Sequence, residues 1–268
     1  MVAIHLGDSA WRQNFEGEDQ ILTQSQAAVE RSLKKYGLLL VEDGIASGDK
    51  TFTAAAAEIF ALYLGQFPTQ GSAYDIRFAY AGALARLGNH REAVQQYLKT
   101  AKSKTEQGTH FRESWLKAMA EQQLIVAITV PRNPAAAGRR ENELPTDLGQ
   151  LVQLVDDAPV FIPHEAQQAT AKLQVAELMI DYGNLANAAE RLGQLATEFP
   201  ETTAGQMALV RLIADYEKRG AWDDIILWGE RFENTLAATR SSLSPTLSKH
   251  LRRAMLERIK TVSYTHLR

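Results

Sequence analysis

Three glycines, Gly88, Gly183 and Gly220, each stand between two stretches whose apolar residues recur at three- and four-residue steps. The surrounding text reads LGNHREAVQQYLKTAK (87–102), YGNLANAAERLGQLATEFP (182–200) and RGAWDDIILWGERF (219–232). That period belongs to a helix buried along one stripe, and a glycine just past a helix end supplies the left-handed residue that closes it. A helix, a tight turn and a second helix are therefore written three times. Gly183 and Gly220 are 37 residues apart, near the period of about 34 at which helix pairs stack, because one pair alone cannot bury its apolar faces. The pattern predicts an all-α chain of stacked antiparallel helix pairs, an α-solenoid, whose usual work is to hold a partner.

The residues around these turns fall into a recognisable pattern. In the second unit Ala176 is the small residue that lets the first helix approach its mate, and Gly183 ends that helix. Ala188 lies at the closest crossing, Leu192 and Leu195 fill the space between helices, and Pro200 stops the second helix. This resembles the tetratricopeptide repeat. Ala81, Gly88, Ala93 and Tyr97 match it in the first unit, where Thr100 replaces a small apolar residue. The third unit departs at Ile225 and Gly229, which stand where a small and a large residue are expected, and an earlier stretch (53–68) matches only through Ala56, Phe60 and Pro68. The resemblance implies a right-handed solenoid that mediates protein–protein contacts, with the first helix of each pair lining a concave face. On those helices it directs attention to Asp75, Phe78 and Arg86, to Leu173, Glu177 and Asp181, and to Val210, Glu217 and Lys218 as outward, partner-binding positions. The clamp of several Lys and Asn residues that some relatives use for C-terminal tails is not visible.

Along the chain, Gln24 to Ala46 reads as a helix with Val29, Leu33, Tyr36 and Leu40 on one side, turned back at 47–51 into a second helix, Phe52 to Phe67. Phe111 to about Ile128 reads as another, with Trp115, Met119 and Ile125 inward; its β-branched end (124–130) also allows a short strand. Residues 131–147, with three prolines and dense charge, read as a loop insertion between helical repeats at 21–130 and 148–262. A short helix follows from Leu148 to Asp156. Ser244-Pro245 is a good helix start, and the helix it opens, to about Lys260, carries Leu247, Leu251, Met255 and Ile259 as a stripe to pack on the third repeat. Trp222 reads as packed; Trp228 is as readily an outward anchor as a core residue. Residues 1–20 read as an irregular or truncated start, and Ser263 to Arg268 as a foreign tail.

Composition narrows the function by exclusion. A net charge of −3 argues against a general nucleic-acid binder. There is no cysteine, which removes disulfides, thiolate metal sites and thiol nucleophiles. No apolar run approaches the length of about 18 residues that spans a bilayer. The six histidines are scattered, and none has a second histidine three or four residues away. His110 and Glu113 in HFRE come nearest to a ligand pair and read better as a surface pair. Asp156-Asp157 and Asp223-Asp224 are adjacent, so on a helix their carboxylates diverge by about 100°. No catalytic residue, metal site or cofactor is expected. The leading expectation is a non-enzymatic scaffold or adaptor that binds other proteins or extended peptide segments, with the FPETTAGQMALVRLIADYEKRG stretch (199–220) resembling repeats of bacterial cell-envelope assembly proteins and pointing to the periplasm or outer membrane, the cytoplasm being the alternative. The alternatives are the noncatalytic superhelical part of a larger enzyme, such as a cell-wall lyase, or a peptide-responsive regulatory module.

Overall fold

The computed structural model describes residues 19–103, 110–131, 143–239 and 244–266. They form eleven α-helices and no strand: α1 (Asp19–Ser47), α2 (Lys50–Gln66), α3 (Ala73–Leu87), α4 (His90–Ala101), α5 (Phe111–Thr129), α6 (Thr146–Asp156), α7 (Glu165–Asp181), α8 (Leu185–Glu198), α9 (Thr203–Arg219), α10 (Trp222–Thr239) and α11 (Ser244–His266), with a short 3-10 turn at Ala158–Val160. The β-branched end of α5 is helical, so the strand alternative at 124–130 falls. Most of the expected insertion at 131–147, nearly all of the segment 1–20 and the side chains of the tail 263–268 lie outside the described residues.

The three sequence-marked joints are built alike. Gly88, Gly183 and Gly220 have φ of 85°, 77° and 67°, a region open to glycine because it lacks Cβ. At each, the next residue's N–H reaches five positions back, to a carbonyl of the last turn: Asn89 to the Leu84 carbonyl at 2.9 Å, Asn184 to Met179 at 2.8 Å, Ala221 to Tyr216 at 2.9 Å. These bonds satisfy carbonyls that a helix end leaves open. The same residue then opens the second helix, accepting from Ala93, Ala188 and Ile225, so the three sites matched by sequence are equivalent in hydrogen bonding. A fourth left-handed glycine, Gly48 at 71°, joins α1 to α2; Asp49 then caps α2 by accepting the Thr51 N–H at 2.8 Å, a bond that holds its carboxyl below the usual range.

The chain divides into two compact units, at residues 1–125 and 126–268. In the first, α1, α2, α3 and α4 each pack on the next, and α1 also reaches α3. Its core gathers Leu33, Phe60, Tyr63, Ile76, Leu84 and Tyr97 around the alanines 56, 81 and 93; burying a side chain such as Phe60 contributes about 1.5–3 kcal/mol. Thr100 joins the buried set and returns its hydroxyl to the Gln96 carbonyl at 3.0 Å, so its polarity is satisfied locally and it fills the space of a small apolar residue. Tyr36, expected inward, is 57% exposed. The buried stripe of α1 runs instead through Gly37, where a Cβ would stand 2.5 Å from the Phe60 ring, so the tight approach of α2 displaces the stripe by one residue.

In the second unit α7 packs on α8, α8 on α9 and α10 on α11, and the first helices α7 and α9, like the second helices α8 and α10, also touch. Contacts at this two-element step are what stacked helix pairs produce. Ala176 and Ala188 are fully buried, and Leu192 and Leu195 fill the space between. Gly229 receives Leu251 of α11, whose Cδ2 would lie 2.2 Å from any Cβ there, so the large residue missing from the repeat pattern arrives from another helix. The α11 stripe is buried at Leu247, Leu251 and Ala254, whereas Met255 and Ile259 are 43% and 64% exposed. The contact face rotates away from the expected line because Ala254, being small, seats the helix closest.

Candidate functional site

The first unit brings the predicted residues of α3 together with a row of side chains from α4 and α5. Tyr74 is the hinge of this arrangement: its hydroxyl accepts the His110 N–H at 2.8 Å, and its ring meets Phe111 edge-on at 5.5 Å. That contact fixes the start of α5 against α3. The His110 ring then stacks on Phe78 at 4.3 Å, and Phe78 meets Tyr97 of α4 edge-on at 5.7 Å. The His110 imidazole lies 3.8 Å from Asp75 and 3.5 Å from Glu113, while Lys117 sits 5.8 Å over the Phe78 ring and 3.6 Å from Glu113.

His110, Glu113, Lys117 and Glu121 follow one another at three- and four-residue steps, so they form one stripe of α5. Glu121 ends it, 2.6 Å from His90 of α4. Tyr97 lies buried beneath. Its phenol is pushed up to about 12, first by burial and then by the carboxylates of Glu121 and Glu113, against the opposing charge of Arg86. Arg86 itself is exposed. Asp75, Phe78 and Arg86 thus share a surface of half-buried rings edged by both signs of charge. The α5 stripe was visible as spacing in the sequence; what the sequence lacked was any mark that it faces α3.

The predicted positions of the second unit scatter. Glu177 and Asp181 are exposed on α7, and Lys218 is exposed on α9. Leu173 is a correction: it is 6% exposed and belongs to the core with Ala169, Ala176 and Leu192. The steps 169, 173 and 176 place it on the stripe that meets α8, which turns the open stripe of α7 to Gln174, Glu177 and Asp181. Glu217 is engaged inside the fold, 2.9 Å from His250 and 3.5 Å from Arg253 of α11. Val210, 52% exposed, shares a shallow hollow of about 100 Å³ with Glu217, Leu247 and His250.

Trp228 turns inward. Its ring covers Gly193 of α8, its Nε1–H donates to the Tyr216 hydroxyl at 3.1 Å, and Phe232 stacks on it at 5.6 Å. Trp222 packs against the same core. Of the adjacent acids, Asp156 takes both arms of Arg191, at 2.9 and 2.6 Å, while Asp157 accepts from Gln153, and Asp223 lies 2.8 Å from Arg258 of α11. Among the described residues no group of three His, Asp or Glu side chains is placed to hold a metal ion, and no helix is long and apolar enough to cross a membrane.

A scan against protein-family models finds no match, and a search of curated proteins finds none either.

Proposed function

We propose that this chain is a non-enzymatic scaffold of the tetratricopeptide kind that holds an extended segment of another protein along the face shared by α3 and α5. The observation that carries this reading is the ring surface of Phe78 and His110 edged by Asp75, Arg86, Glu113 and Lys117. Half-buried rings supply contact area at small conformational cost, and charges of both signs at the edge select among partners. The repeated joints at Gly88, Gly183 and Gly220, with equivalent small or β-branched residues five positions on, support the repeat assignment. Glu177, Asp181 and Lys218 supply a second set of exposed charges for the same kind of contact in the other unit.

Affinity capture from the source cells tests the reading. Arg86→Glu with Lys117→Glu inverts the charge of the first face, and Asp181→Lys with Lys218→Glu does so in the second unit. Loss of a wild-type partner by the first variant is expected. Recovery of the same partners at equal yield by both variants refutes the assigned face, and turnover of any substrate by the purified chain refutes the non-enzymatic reading.

A further inference from the structure

On the other side of α3 lies an open hollow of about 610 Å³ lined by Arg77, Gln95, Leu98, Lys99 and Lys102. Arg77 and Arg86 are nine residues apart on one helix, about two and a half turns, so they point to opposite sides. Three cations line it, and among the described residues no carboxylate does. The side chains of Arg77, Gln95 and Lys99 have neither a hydrogen-bond nor an ion-pair partner among the described residues, and Lys102 lies 5.9 Å over the Trp115 ring. Arg77 is half-buried, and its guanidinium is held below its ordinary value by that burial alone, with no neighbouring charge opposing it. An arginine partly removed from water with no partner carries an uncompensated charge, which costs the fold some stability.

We infer that this hollow is a binding site for an acidic peptide segment, separate from the α3–α5 face. The charge calls for an anion, and the fork of Arg77 suits a carboxylate bound through two parallel hydrogen bonds. Size and lining favour a peptide over a free ion: the volume lies in the range of about 300–1,000 Å³ occupied by ligand sites, and Leu98 with the lysine stems offers an apolar patch between the cations. Carboxylates on both sides of an apolar residue match this arrangement, with Gln95 free to bond the peptide backbone.

Calorimetric titration of the full chain with a short blocked peptide carrying glutamates on both sides of a leucine tests the site. Saturable binding is expected, weakened about tenfold or more by Arg77→Gln or by Lys99→Gln with Lys102→Gln, weakened again by added salt, and unchanged by Arg86→Glu. Arg77→Met keeps the stem and removes the uncompensated charge, so it should raise the thermal midpoint while abolishing binding. Absence of saturable binding by the wild type, equal binding by Arg77→Gln, or a lowered midpoint in Arg77→Met each overturns the inference. Equal affinity for inorganic phosphate also overturns it, in favour of a small-oxyanion site. Loss of peptide binding in Arg86→Glu would move the peptide to the other face.

Discussion

Gly193→Ala isolates the closest approach between α8 and α10. A methyl group at position 193 would stand 2.2 Å from Cη2 of Trp228, 2.3 Å from Cζ3 and 2.7 Å from Cζ2, so the indole must retreat by more than 1 Å to reach an ordinary contact of about 3.5 Å. That retreat pulls Nε1–H from the Tyr216 hydroxyl and disturbs the stack on Phe232. Overpacking costs about 1–3 kcal/mol and the lost hydrogen bond about 0.5–1.5 kcal/mol, while exchanging glycine for alanine inside a helix returns about 1 kcal/mol. Destabilisation wins, by about 0.5–3.5 kcal/mol net. Urea unfolding followed by far-ultraviolet circular dichroism reads this directly. Gly149→Ala in the same unit is the control: its nearest neighbour is Leu144 Cδ2 at 3.5 Å, an ordinary contact, and the same exchange there should stabilise by up to about 1 kcal/mol. The double variant Gly193→Ala with Trp228→Leu should recover part of the loss, because the clash is shared by the two positions. An unchanged or raised midpoint in Gly193→Ala alone would refute the packing of α10 on α8.

Ala188→Leu, at a fully buried crossing, should lower the urea midpoint by the equivalent of about 1–3 kcal/mol; no change would mean the helix pairing is wrong. Stability should also fall steeply in alkali. The phenols of Tyr80 and Tyr97 are pushed up to about 12, chiefly by burial and then by Glu92 and by Glu121 respectively, whereas an unfolded chain releases these protons near pH 10. A raised folded-state value stabilises the fold fully below about pH 10 and is lost as pH climbs toward 12. Tyr80→Phe should therefore flatten the stability profile between those limits, and a profile identical to wild type refutes the role given to the Tyr80–Glu92 bond, 3.0 Å long. Arg191→Ala breaks the two-armed pair with Asp156 at the surface, and a loss above about 1 kcal/mol in the same unfolding assay would show the pair to be more than the ordinary exposed ion pair.

The sequence by itself determined where helices stop and turn back. Gly88, Gly183 and Gly220 announce left-handed joints because few other residues adopt that conformation cheaply, and the apolar steps on either side leave no reading but helix. It also placed Ala81, Ala93, Ala176 and Ala188 at crossings, since only a small side chain serves there. Tertiary structure decided which way each helix faces. An alanine-rich helix has a wide apolar arc, and the neighbour that comes closest selects the part of it to bury. Leu173 went inward because Ala169 and Ala176 seat α7 on α8, and Tyr36 went outward because Gly37 admits Phe60. Glycine carries no hydrophobic signal in a sequence, yet at positions 37, 193 and 229 it sets the helix spacing by what it leaves out. The candidate sites follow the same logic. The charged stripe of α5 and the row Gln95, Lys99 and Lys102 along α4 and just past its end are legible as spacing, but that one meets Phe78 and the other meets Arg77 depends on how α3, α4 and α5 are turned against one another in the fold.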